Sequence, residues 1–189
     1  MLIVACGHES TSEPTFECTG TATTICPDDD IAAKVDAAPP GTAFQLRAAL
    51  HRLQQLSPKA GQSFADEAGA VLSGARLLTE WAQEGNHWIH GGQSQAGEVR
   101  LASSCQPTRP RCAFPEEFFI DDILLQHIGR REEVGPGKWY FDYAADRVYI
   151  ADVPTGRRVE ISVLPWAIYS AALNVTLENL IVEKYASPA

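Results

Sequence analysis

VEISVLPWAIYSAALNVTLENLIVEKY, residues 159–185, is a series of short apolar segments broken by single Pro and Asn corners. No part of it runs uninterrupted for the length of an ordinary helix. Over residues 174–185, Val175, Leu177, Leu180 and Val182 recur with polar residues between them, the pattern of strands with one buried face. A segment of this kind buries its face only against a neighbour of the same kind. The stretch therefore reads as one rung of a solenoid of stacked strands.

Just upstream, residues 138–143 (KWYFDY) and 147–152 (RVYIAD) are aromatic and β-branched runs around Ala144-Ala145-Asp146, which predicts a hairpin. Pro154-Thr155-Gly156 supplies the next turn. Residues 81–137 differ in character. They are rich in Gly, Gln, Ser and Pro, hold one compact apolar patch at 114–128, and are expected to form an irregular insertion. Residues 62–78 return to short apolar segments with intervening glycines, hence strands and turns. Residues 42–56 read two ways: Leu46, Leu50, Leu53 and Leu56 recur at helical spacing, while Phe44 and Leu46 alternate as in a strand. Asp28-Asp29-Asp30 precedes Ile31, Val35 and Ala38, and Pro39-Pro40-Gly41 follows, which describes a short capping helix. The Asp run is read as a helix cap, because no further ligands follow at calcium-loop spacing.

The chain has 189 residues, 45% hydrophobic and 21% charged, a globular composition sufficient for one domain of ordinary size. A net charge of −9 opposes phosphate backbones, so nucleic acid is not an expected partner. No apolar run reaches the length of a membrane span. Residues 7–27 are polar with little to bury and read as a tether, which divides the chain into 1–27 and a folded part, 28–189. Of five cysteines, Cys18 and Cys26 lie close together, as do Cys105 and Cys112, so two local disulfides are expected, in an oxidising compartment. Cys6 is left over. Leu2-Ile3-Val4-Ala5-Cys6-Gly7 fits a bacterial lipobox with Cys6 lipidated, although only five residues precede it. The true start then lies earlier, or the match is accidental.

In this order, the cap, AAPPGT (37–42), SPKAGQSF (57–64), GAVLSGARLL (69–78), PGKWYFDYAADRVYIADVPTGRRVE (136–160) and NVTLENLIVEKYASPA (174–189) resemble the N-terminal part of secreted right-handed parallel β-helix proteins. These belong to the pectate-lyase-like superfamily. The most specific match is Pro136, Gly137, Trp139, Tyr140, Phe141 and Asp142, followed by Pro154, Gly156, Val159 and Glu160. The resemblance covers about residues 30–189 and turns 42–56 into first-rung strands. It implies an all-β parallel β-helix whose helix at 31–38 covers the N-terminal end, with further rungs following Ala189. It also implies a secreted protein, or a surface or periplasmic lipoprotein reaching the membrane only through Cys6. The implied partner is extracellular polysaccharide, and the implied activity is that of a lyase or glycoside hydrolase with catalytic groups on later rungs. Calcium enters only as a cofactor some relatives use. The alternative is a non-catalytic module for glycan binding or adhesion.

Trp81, Trp88, Trp139 and Tyr143 are candidates for stacking on sugar faces, against the commoner role of aromatic packing. Glu116-Glu117 and Asp121-Asp122 are adjacent carboxylates, but neighbours on a strand point to opposite faces, and Asp121-Asp122 reads as a turn. His87 and His90 lie in loop-like surroundings and read as solvent-exposed rather than metal-binding. Asn174-Val175-Thr176 fits a glycosylation sequon, yet Asn174 is read as a structural corner. No catalytic residue is assigned. Carboxylates clustered with Arg or Lys would favour an enzyme, and a ring platform without them a binder.

Overall fold

The computed structural model describes residues 23–95 and 105–186. These described residues are mostly β with one α-helix. It begins with β1 (Thr24–Ile25), α1 (Ile31–Ala37), β2 (Ala43–Leu46), β3 (Leu50–Arg52), β4 (Ser63–Ala65) and β5 (Val71–Ser73). After Gly74 come β6 (Ala75–Leu77), β7 (Ala82–Glu84), β8 (His87–His90), β9 (Phe118–Ile120), β10 (Ile123–Leu124), β11 (Gln126–His127), β12 (Lys138–Asp142), β13 (Arg147–Ile150) and β14 (Val159–Ser162). The last strands are β15 (Thr176–Glu178) and β16 (Ile181–Glu183).

The first and last strands form a body of parallel pairs. One sheet runs β1-β2-β4-β15 and another β16-β5-β3. Successive segments each give one strand to each sheet: β2 then β3, β4 then β5, β15 then β16. An isolated parallel bridge joins Leu56 to Ile168. Phe44 and Phe64 sit in register on β2 and β4 with ring centroids 5.1 Å apart, a stack that adds about 0.5–1.5 kcal/mol to their burial. Around them pack Ile25, Leu46, Leu56, Ala70 and Leu72. α1 adds Ile31 and Val35, four apart and fully buried, to the same core. Asp30 caps it, its Oδ1 accepting the Ala33 N–H at 2.9 Å.

The helical spacing in residues 42–56 does not produce a helix. Leu46 and Leu56 are buried, whereas Leu53 is 41% exposed at a corner with φ +54°. A leucine row on one helix face would bury all of its members; strands separated by corners sort them differently.

Within residues 75–95 and 105–162 the strands form a sandwich of mostly antiparallel pairs. One sheet runs β10-β9-β14-β6, the other β11-β12-β13-β8-β7. Between them lies a core of Phe118, Ile120, Trp139, Phe141, Val148, Ile150, Val159 and Ile161. The expected hairpin is present as β12–β13, with Trp139 opposite Ile150 and Asp142 opposite Arg147. Asp142 Oδ1 accepts the Ala144 and Ala145 N–H groups, each at 3.1 Å, and so shapes the turn.

This excursion is wider and more regular than the irregular insertion expected at 81–137. The hairpin belongs to it, because β13 pairs with β8 and β12 with β11. β14 belongs to it as well, pairing with β9 and β6. The stretch 159–185 is therefore divided: its first strand closes the sandwich, and only β15 and β16 join the parallel body. Entry and exit meet at Gly74, whose carbonyl accepts the N–H of Val163 at 3.0 Å and of Leu164 at 3.1 Å.

Cys105 and Cys112 are joined by a disulfide. Cys26 is also disulfide-bonded. Cys6, Cys18 and most of the tether lie outside the described residues. Among those described, no helix is long and apolar enough to cross a membrane.

Candidate functional site

The sandwich carries a concavity at each side. The larger, about 680 Å³, lies by β6–β8 and is lined by Leu77, Trp81, Trp88, the 154–156 turn, Arg52, Arg157 and Arg158. That size suits a small organic ligand or a short stretch of polymer. Trp81 is half-buried. Its Nε1 donates to the Leu78 carbonyl at 3.2 Å, and its ring meets Phe118 and His90 edge-on at 6.3 and 5.3 Å. Trp88, also half-buried, sits on β8 between Gln83 and Ile150. Both indoles are thus fixed by their neighbours while remaining accessible from the groove.

Beside the groove an ion network joins the sandwich to the parallel body. β14 is buried on both faces: Val159 and Ile161 enter the sandwich core, so Glu160 points the other way. Its carboxylate takes Arg52 from β3, Lys184 at 2.6 Å and Arg158 at 3.5 Å. Lys184 and Arg158 also hold Asp122, and Arg157 Nε holds Asp121 at 2.7 Å. Asp121 and Asp122 form the two-residue β9–β10 turn with φ of +50° and +65°, values such a turn requires and Asp tolerates. The turn reading of this pair is therefore complemented by charge pairing across the seam.

These carboxylates are poor candidates for proton transfer. Burial alone would raise Glu160, but hydrogen bonds from Lys184 and Arg52 outweigh it and hold the carboxyl below its usual range. Hydrogen bonding to Arg157 likewise lowers Asp121, and to Lys184 lowers Asp122. Burial disfavours the Lys184 ammonium, yet its carboxylate partners raise it overall. The three carboxylates and the Lys184 ammonium are thus held in their charged forms, so the network positions and attracts.

The smaller concavity, about 120 Å³, lies at the β10–β11 side and is lined by Arg109, Arg111, Phe114, Glu116, Glu117, Leu124, Leu125, His127 and Trp139. Glu116 and Glu117 precede β9, so the alternation of a strand does not separate them and both reach the same pocket. Glu116 is 2% exposed and accepts the Tyr143 O–H at 2.8 Å. Partial burial pushes Glu117 up. His127 is lowered to about 3 by burial and by Arg111, which keeps its ring neutral.

The four aromatic candidates are therefore split between two places. Trp81 and Trp88 line the groove. Trp139 is fully buried, stacked on His127 at 4.0 Å and on Phe118 at 5.2 Å, which leaves it no face to offer a sugar. Tyr143 stacks on Phe141 at 4.0 Å and on Phe114 at 5.6 Å, and packs against the same core. His87 and His90 lie on a strand instead of a loop, with His90 beside Gln93 at 3.0 Å. Asn174 occupies a corner at φ +59°. Asp30 is spent on the helix cap and Asp29 on Lys34. Among the described residues no group of three or more His, Cys, Asp or Glu is placed to hold a metal. Sequence reading named Glu160 only within a motif and missed its grouping with Arg52, Arg158 and Lys184. They are brought together over separations of 24 and 108 residues, for which no local pattern exists.

No family model matches the chain, and no curated protein matches it in sequence. Two solved structures resemble it in fold. "The complex structure of XylC with xylose" matches 84% of this chain and 32% of its own, with a TM-score of 0.63 and 13% identity. A structure described as "Glycoside hydrolase" matches 86% of this chain and 50% of its own, with a TM-score of 0.52 and 11% identity. The chain thus spans a third to a half of these neighbours' lengths.

Proposed function

We propose that this chain is the N-terminal portion of a secreted or surface-attached right-handed parallel β-helix protein that binds an extracellular polysaccharide, with the Trp81–Trp88 groove as its contact surface. The observation that carries this reading is the groove itself. Two accessible indoles, already fixed by neighbours, line one concavity with three guanidinium groups beside them. Sugars present apolar C–H faces and hydroxyl edges; indoles receive the first and guanidinium N–H groups the second. The fold supports the reading through its repeating β2–β3, β4–β5 and β15–β16 segments, each giving one strand to each of two parallel sheets. The names of the two structural neighbours, one bound to xylose and one a glycoside hydrolase, point to carbohydrate as well.

The groove is a binding platform. Its adjacent carboxylates are engaged in ion pairs with Arg52, Arg157, Arg158 and Lys184, so lyase or hydrolase chemistry is assigned to the whole protein and not to this surface. The test is affinity electrophoresis and calorimetry against neutral and acidic polysaccharides, comparing the natural chain with Trp88→Ala and Trp81→Ala. Retained folding with about tenfold weaker binding is expected for Trp88→Ala, the loss of one ring contact. Binding of no polysaccharide by the natural chain, or equal binding by both variants, would sink the proposal.

A further inference from the structure

We infer that the small pocket at the β10–β11 side of the sandwich is a second ligand site, taking the hydroxyl edge of a single neutral sugar residue or a similar small polyol. This rests on the carbohydrate reading for its choice of ligand, but on a different set of residues. Three ring nitrogens supply the first argument. Trp139 Nε1 and both nitrogens of His127 are buried with no hydrogen-bond partner among the described residues. Both side chains line this pocket and are stacked on each other. Buried polar groups in folded proteins almost always have a partner, so three orphans on two stacked rings that both line one pocket call for one.

The chemistry of the wall selects the ligand. A neutral imidazole offers one N–H and one lone pair, and the indole offers an N–H. Arg109 and Arg111 add donors, and Glu117 adds an acceptor beside the Tyr143-bonded Glu116. A small anion would satisfy the donors while facing two carboxylates. A small cation would satisfy the carboxylates while facing two guanidinium groups. A hydroxyl both donates and accepts, so vicinal hydroxyls can meet this mixed set without a charge conflict. Phe114, Leu124 and Leu125 give the pocket an apolar side for the C–H bonds of the same ring.

Size narrows the class further. About 120 Å³ equals the liquid volume of roughly four waters and is somewhat smaller than a cavity that holds benzene. One sugar residue can dip into such a space; an oligosaccharide cannot lie in it. The Cys105–Cys112 disulfide closes the loop that carries Arg109 and Arg111, which fixes that wall.

The four tryptophans make the test specific, since Trp81 and Trp88 report on the groove, Trp139 on the pocket and Trp166 on neither. Indole N–H signals of the 15N-labelled chain would be followed during titration with D-arabinose and D-glucose, with D-glucuronate as an anionic control. The expected result is a saturable shift of the Trp139 signal with the neutral sugars, at least about tenfold weaker with glucuronate. His127→Phe keeps a ring against Trp139 and removes both nitrogens, so it should lose the response. Glu117→Gln, at a more exposed position, provides a second variant if that one fails to fold. No Trp139 shift with either neutral sugar up to roughly 0.1 M would overturn the inference and leave a pocket holding water only. Equal shifts of all four indoles would overturn it too, as unspecific. Movement of Trp81 and Trp88 alone would overturn the second site while sparing the groove; movement of Trp139 alone would do the reverse.

Discussion

The parallel body and the antiparallel sandwich solve the burial of short strands in opposite ways. In the parallel body each strand is two to four residues long and gains its core only from the segments on either side. Its corners are fixed, with left-handed backbone at Leu53, Asn174, Asn179 and Lys184. In the sandwich most neighbouring strands are antiparallel, and one large aromatic cluster around Trp139 serves both sheets. Freed from the need to stack, its edges and loops carry both concavities. The parallel body supplies to the groove one arginine, Arg52, and to the seam Lys184. Both concavities thus lie where the repeating pattern is interrupted.

The sharpest way to break this division is Trp139→Ala, which removes the largest fully buried side chain. A loss of about 3–5 kcal/mol is expected in urea denaturation. Hydrogen exchange should show protection lost first in β9 and β12–β14, with β2 and β4 holding longer. Simultaneous loss in both regions would mean that they form one cooperative unit.

Glu160→Gln attacks the seam. It leaves Arg52 and Lys184 without their buried carboxylate, at a cost of about 3 kcal/mol. The pH profile gives the sign. Glu160 and Asp122 are lowered in the folded state, so their contribution is full above their unfolded values of 4.5 and 3.8 and is lost as pH falls through the folded values. Lys184 is raised, so its share is full below 10.5 and is lost as pH climbs through its folded value. Asp66, raised by burial, opposes the acid loss. Stability measured from pH 7 downward should therefore fall more steeply in the natural chain than in Glu160→Gln, and parallel curves would count against the seam.

Gly74→Ala tests how tightly the junction is packed. A Cβ there would lie 2.5 Å from the Tyr185 ring and 2.9 Å from its Cα, so the backbone has to shift, costing about 2 kcal/mol in chemical denaturation. Asp30→Ala should have the smallest effect, about 1 kcal/mol from the lost cap, read as a lower midpoint with the sandwich's exchange pattern unchanged.

Local features were legible in the sequence. The α1 cap followed from Asp30 and the Ile31–Val35 spacing, the hairpin from its flanking aromatics, and the Asp121-Asp122 turn from its setting between apolar runs. What escaped reading was the assignment of strands to sheets. Val159 and Ile161 look the same in a rung as in a sandwich, and only pairing with Phe118 and Leu77's strand decides between them. The candidate site divided in the same way. Aromatic content pointed to Trp81 and Trp88, but the same signal pointed equally to Trp139, whose burial depends on residues from both sheets. Glu160 was quoted as part of a motif, yet its role depends on Arg52 and Lys184, which only the tertiary fold brings near.

Leu177, Ile181 and Val182 are 43%, 50% and 49% exposed on β15 and β16, each the outermost strand of its sheet. That flank has a polarity. Both strands bond their inner neighbours in parallel register, and an addition that prolongs the same pattern would have to run in the same direction. A tight hairpin cannot deliver such a strand, because parallel neighbours need a long crossover or a separate chain. A strand that prolongs the parallel pattern on this flank therefore comes by a long crossover or from another chain, and left uncovered the flank offers unpaired backbone groups beside apolar side chains.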